Sequence, residues 1–83
     1  MNSGLIPYML KALQDDGLLL SEMESQTYNM CLTAVRQNGH ALQYVKKQDA
    51  KLCLEAVKQT PEALRHVSPD LFSIVFRAFI EEL

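Results

Sequence analysis

The chain repeats itself with a 22-residue step, and so short a period leaves few ways to fold. Residues 30–45 read MCLTAVRQNGHALQYV and residues 52–67 read LCLEAVKQTPEALRHV. Without gaps the two share eight identities in sixteen positions: Cys31 with Cys53, Leu32 with Leu54, Ala34 with Ala56, Val35 with Val57, Gln37 with Gln59, Ala41 with Ala63, Leu42 with Leu64 and Val45 with Val67. Carried backwards, the step aligns residues 8–23 and matches Leu10, Ala12, Gly17 and Leu20 to their counterparts. Carried forwards, it aligns residues 74–83 and then stops. Self-similarity at a fixed short period marks stacked units, none of which buries its apolar face alone. The expected organisation is one domain over 1–83, with units at about 6–27, 28–49, 50–71 and 72–83.

The columns of this alignment carry the physics. Apolar columns are Ile6/Tyr28/Ala50/Phe72, Tyr8/Met30/Leu52/Ile74, Met9/Cys31/Cys53/Val75, Leu10/Leu32/Leu54/Phe76 and Leu13/Val35/Val57/Phe79, and Ala12/Ala34/Ala56/Ala78 is alanine throughout. At 100° per residue these six columns fill a continuous arc of roughly 200°. The polar columns Lys11/Thr33/Glu55/Arg77 and Asp15/Gln37/Gln59/Glu81 fall in the complementary arc. So wide an arc exceeds what one neighbour covers and suits a helix sandwiched between two others. Alanine in every unit would let those helices approach closely. The fold class expected is all-α: a solenoid-like helical-repeat bundle of about three and a half units, each a long helix plus a short one.

Local signals agree with the period. Ser3, Thr27 or Ser25, Asp49 and Ser68 are candidate N-caps, the last strengthened by Pro69 and Asp70. Asn38-Gly39 reads as a left-handed helix stop, and Thr60-Pro61 ends the third helix. The intervening stretches 18–23, 40–45 and 61–67 each repeat two adjacent apolar residues and another three later. That spacing predicts one or two helical turns packed under the long helices.

Composition narrows the function classes. The chain is 48% hydrophobic, which is globular, yet 83 residues give a single core little volume. A net charge of -2 argues against a dedicated binder of nucleic acid or of anionic membranes. The N-terminus lacks a basic leader, and Pro7 and Lys11 break its apolar stretch, so no secretory signal is expected. No run reaches the length of a membrane span. The chain starts at Met1 without tag or linker and reads as complete. A reducing cytoplasm, of the cell of origin or of a host, is the expected compartment.

The units MCLTAVRQNGHALQYV and LCLEAVKQTPEALRHV resemble a family of short helical repeats found in bacterial, protist and viral proteins, a domain of unknown function. The likeness is specific over residues 30–67, weaker over 8–23 and partial at the C-terminus. Thr60-Pro61 departs from the Asn-Gly the family favours, and the first unit is divergent. The resemblance implies a helical-repeat fold and carries no catalytic residues. It also implies arrays usually longer than this one.

Residues able to carry chemistry are few and scattered. Cys31 and Cys53 share a column on adjacent helices, where side chains point the same way, so core packing outweighs a disulfide, a reactive thiol or a metal ligand. His40 and His66 could complete a zinc site with them, but none of the four is spaced as a close ligand pair. His66 aligns with Tyr44 and reads as an amphipathic repeat position. No nucleophile elbow, facing acidic pairs or glycine-rich phosphate loop is present, so no enzyme, cofactor, metal or small-molecule substrate is expected.

Residues 36–66 hold six cations, Arg36, Lys46, Lys47, Lys51, Lys58 and Arg65, against three acids, Asp49, Glu55 and Glu62. Arg36 and Lys58 are repeat-equivalent, and with Lys47 they make a candidate basic ladder. A solvated helix face is the plainer reading, and no aromatics interleave with the charges as they do in single-strand binders. The last helix carries the sharpest signal. Phe72, Phe76, Phe79, Ile80 and Leu83 load it with large apolar groups, and Ile80 stands where Gln14, Arg36 and Lys58 stand. Terminal repeats normally present a polar face. The expectation is therefore a non-enzymatic protein-interaction module, self-associating or partner-binding through this helix. The alternatives are a small phage or pathogen inhibitor of a host machine, or nucleic-acid binding through the basic middle units.

Overall fold

Three ten-residue helices start 22 residues apart in the computed structural model, which describes residues 3–83. The elements are η1 (Ser3–Leu5), α1 (Ile6–Asp15), η2 (Gly17–Glu22), α2 (Tyr28–Gln37), η3 (Gly39–Tyr44), α3 (Ala50–Gln59), η4 (Pro61–His66) and α4 (Pro69–Glu81), where η denotes a 3-10 helix. The fold is all-α, with no strand among the described residues. Each of the three ten-residue helices is followed by a short one, as the stretches at 18–23, 40–45 and 61–67 predict. The molecule is elongated, 40 × 22 × 16 Å.

Helices of ten residues are marginal alone, so burial must hold them. The interior units supply it. Met30, Leu52, Val35, Val57, Ala34, Ala56 and Cys53 are all fully buried, and Cys31 nearly so. The Met30/Leu52 column opens at the chain's two ends, where Tyr8 and Ile74 are 73% and 61% exposed, while Leu13 and Val75 of other columns stay buried. Burial of one such side chain stabilises by about 1.5–3 kcal/mol, so the two middle units carry most of the fold.

Hydrogen bonds repeat with the sequence. Thr27 caps α2 by accepting from the Met30 N–H at 3.1 Å, and Asp49 caps α3 by accepting from Leu52 at 2.8 Å. The cap expected at Ser3 concerns a side chain outside the described residues, and α1 starts at Ile6, after Leu5, without a side-chain cap. Ser68 precedes α4 as expected, yet its hydroxyl does not cap the helix. It donates to Gln48 Oε1 at 3.0 Å instead. Pro69 lacks an N–H and already fixes the first helical φ, which lessens the need for a cap.

Asn38-Gly39 works differently from the sequence expectation. Neither residue is left-handed; Asn38 is extended at φ -152°, and no glycine among the described residues has positive φ. Asn38 caps η3 by accepting from His40 N at 2.9 Å, as Asp16 caps η2 by accepting from Leu18 N. Gly39 is there for proximity. A Cβ built on it would collide with the Ala56 carbonyl oxygen, and one on Gly17 with that of Ala34. The Gly17 N–H then donates to Gln37 Oε1 at 2.6 Å, and the Gly39 N–H to Gln59 Oε1 at 2.7 Å. The alanine column thus admits the preceding short helix rather than only a neighbouring long one.

The last unit breaks this pattern. Pro61 stands where Gly17 and Gly39 stand, so it has a Cβ and no N–H, and the glutamine column ends in Glu81. α2 rests on η2 and α3 on η3, but α4 packs on α3 without comparable contact to η4. α4 also starts at Pro69, three residues before the repeat boundary at 72.

Candidate functional site

The outer face of α4 is apolar and open. Phe72, Phe76 and Ile80 are 40%, 41% and 47% exposed, spaced four residues apart along one stripe. The rings of Phe72 and Phe76 stack with centroids 5.7 Å apart. Arg77 and Glu81 border the shallow depression these residues line. Leu83 extends beyond the helix and is the most exposed large apolar residue. Phe79 does not share this face: it is half-buried and packs against the core beside Val75. Its column, Leu13/Val35/Val57, is the inward one, and that outweighs its size as a guide to its role.

The basic ladder is neutralised in place. Arg36 Nε donates to Glu55 Oε1 at 3.1 Å, and Lys58 Nζ pairs with Glu82 Oε1 at 3.1 Å. Each cation is answered by an acid on the following long helix or just past its end. Lys47 is not a third rung. It sits before α3, in a groove at the N-terminal ends of α2 and α3, whereas Arg36 and Lys58 lie near the C-terminal ends.

That groove repeats. Tyr28, Cys31, Lys46, Lys47, Asp49 and Leu52 line it between α2 and α3, and Ile6, Met9, Glu24, Ser25, Thr27 and Met30 line its counterpart between α1 and α2. All six positions differ by one period. Its charge changes along the edge, from Glu22 and Glu24 to Lys46 and Lys47. The sequence columns placed Cys31 and Met30 in the core but gave no sign that their outer edge is a groove.

Cys31 and Cys53 are free and buried. Each thiol reaches a glutamine oxygen, Cys31 Sγ to Gln26 at 3.5 Å and Cys53 Sγ to Gln48 at 3.3 Å. Where the glutamine is absent, at Gly4 and Asp70, the column holds Met9 and Val75. Burial, with Asp49 and then Asp70 adding negative charge nearby, pushes the Cys53 thiol up to about 11. Such a thiol is a packing group rather than a nucleophile.

His40 and His66, which their sequence separation does not place together, do meet. His40 Nδ1 lies 3.3 Å from His66 Nε2, with the rings edge to face. Their separation of 26 residues is one period plus one helical turn, the only hint in the sequence. Among the described residues no cluster of three or more His, Cys, Asp or Glu side chains forms. No helix among them is long and apolar enough to cross a membrane.

Residues 28–72, more than half of the chain, match the family described as Domain of unknown function (DUF4116). The chain belongs to that family. The DUF4116 segment runs from the first residue of α2 into α4, and so covers the two most alike units and both capped helices. No curated protein and no solved structure matches the chain.

Proposed function

We propose that this DUF4116 chain is a non-enzymatic protein-interaction module that self-associates through the outer face of α4. The observation behind the reading is the Phe72–Phe76–Ile80 stripe. On the interior helices the residues equivalent to Phe76, Leu32 and Leu54, are half-buried, whereas Phe76 is exposed. Contiguous exposed apolar surface rimmed by polar groups marks an association site. A two-fold arrangement closes such a surface with one patch used twice, and Arg77 and Glu81 at its border allow charge pairing across the axis.

Light scattering coupled to size exclusion tests it. A dimer is expected that dissociates on Ile80→Asp or Phe76→Asp while circular dichroism stays helical. A wild-type chain that remains monomeric as concentration rises would remove self-association and leave the face to a different protein. Nucleic-acid binding ranks below because Arg36 and Lys58 are already paired with acids. The charge-reversed pair Arg36→Glu and Lys58→Glu tests that reading through salt-sensitive binding.

A further inference from the structure

The two histidines depart from the repeat in a coordinated way. One unit earlier, Leu18 stands for His40 and Tyr44 for His66, so the fold itself needs no imidazole at either place. Both backbones are fixed. The His40 N–H donates to Asn38 Oδ1 at 2.9 Å and the His40 carbonyl accepts from Gln43 Nε2 at 3.0 Å. The His66 carbonyl accepts from Gln48 Nε2 at 2.8 Å. Two ring nitrogens are thereby held 3.3 Å apart from adjacent short helices.

That distance is informative. It lies at the long end of hydrogen-bond reach, and it also suits a shared ion. Two imidazole nitrogens about 2.0–2.1 Å from one ion, on adjacent corners of a tetrahedron, stand roughly 3.3–3.4 Å apart. We propose that His40 and His66 form a two-imidazole site for a borderline divalent cation of the zinc class. No third protein ligand joins them among the described residues, so water completes the coordination. Imidazole donors without carboxylates select zinc, nickel or copper over magnesium or calcium. The positive Arg65 limits affinity and makes the site a weak, exchangeable one. Bound there, the ion ties η3 to η4 and so braces the two units that carry most of the fold.

The test is calorimetric titration of the untagged, reduced full chain with zinc ion, with histidine ring resonances followed by NMR. One equivalent is expected to bind, shifting both rings together. His40→Leu and His66→Tyr install the residues that the preceding unit uses, so both variants are expected to keep their helicity while binding falls at least tenfold. Binding also falls between pH 7.5 and 5.5, as protons compete for the ring nitrogens. Any of three results would overturn the site: no binding by the wild type, equal binding by wild type and both variants, or binding abolished by Cys31→Ala and Cys53→Ala but not by the histidine changes.

Discussion

A single amide, that of Gln48, ties the loop between η4 and α4 to the unit before it. Its oxygen accepts from the Ser68 N–H at 2.9 Å, from the Ser68 hydroxyl and from the Cys53 thiol, while its nitrogen holds the His66 carbonyl. Gln26 makes the equivalent bonds to Lys46 N and the Tyr44 carbonyl in a more exposed setting. Unmade bonds cost most where water cannot replace them. Gln48→Ala is therefore expected to destabilise by about 1–3 kcal/mol in urea denaturation, and Gln26→Ala by less. The cysteine column gives a second prediction at this scale. The Cys53 thiol is raised in the folded chain, so its contribution is complete below the ordinary thiol range near 9 and is lost as pH climbs through about 11. Thermal midpoints should fall over that window for the wild type, and less for Cys53→Ala when each is compared with its own value at pH 7. At pH 7 neither thiol should react with a disulfide reagent until the chain is unfolded.

Between elements, the decisive contact is a short helix pressed against the carbonyl of the next long one. Gly17 and Gly39 permit it, and Gln37 and Gln59 fasten it. Gly39→Ala would force the Ala56 carbonyl away and is expected to cost about 1–3 kcal/mol, as overpacking does. Gly4→Ala is the control, because a Cβ there meets nothing within 4 Å. Near-equal midpoints for the two variants would show that the close approach is not what the glycine serves. Much of this level was legible beforehand: the three ten-residue helices, the short helices between them and the caps at Thr27 and Asp49 follow from pattern and residue type. The role of Asn-Gly was not. The pair suits a left-handed stop in isolation, and only the neighbour one period on shows that the missing Cβ matters rather than a positive φ.

Across the whole molecule, the middle rungs are covered and the end rungs are partly open, with Leu13 and Val75 buried but Tyr8 and Ile74 facing out. Pro61 and Glu81 remove the glycine and the glutamine that would seat α4 in register, and α4 answers by packing on α3 alone with its aromatic stripe outward. Association through that stripe should show as a concentration-dependent mass, lost on Ile80→Asp but not on Arg36→Glu, a distant site. Phe79→Asp would instead unfold α4, since Phe79 faces inward with Val75.

The amino-acid sequence alone determined the period, the all-α class, the inward and outward columns, and the apolar excess of the last helix. Those follow from spacing along one chain, which side-chain periodicity records directly. Only the tertiary structure decided which cations are already paired, which large apolar residue of α4 turns inward, and that His40 meets His66. Each of these depends on how one unit is offset against the next. That offset is fixed by contacts between residues 19 to 26 positions apart, not by the local pattern of either.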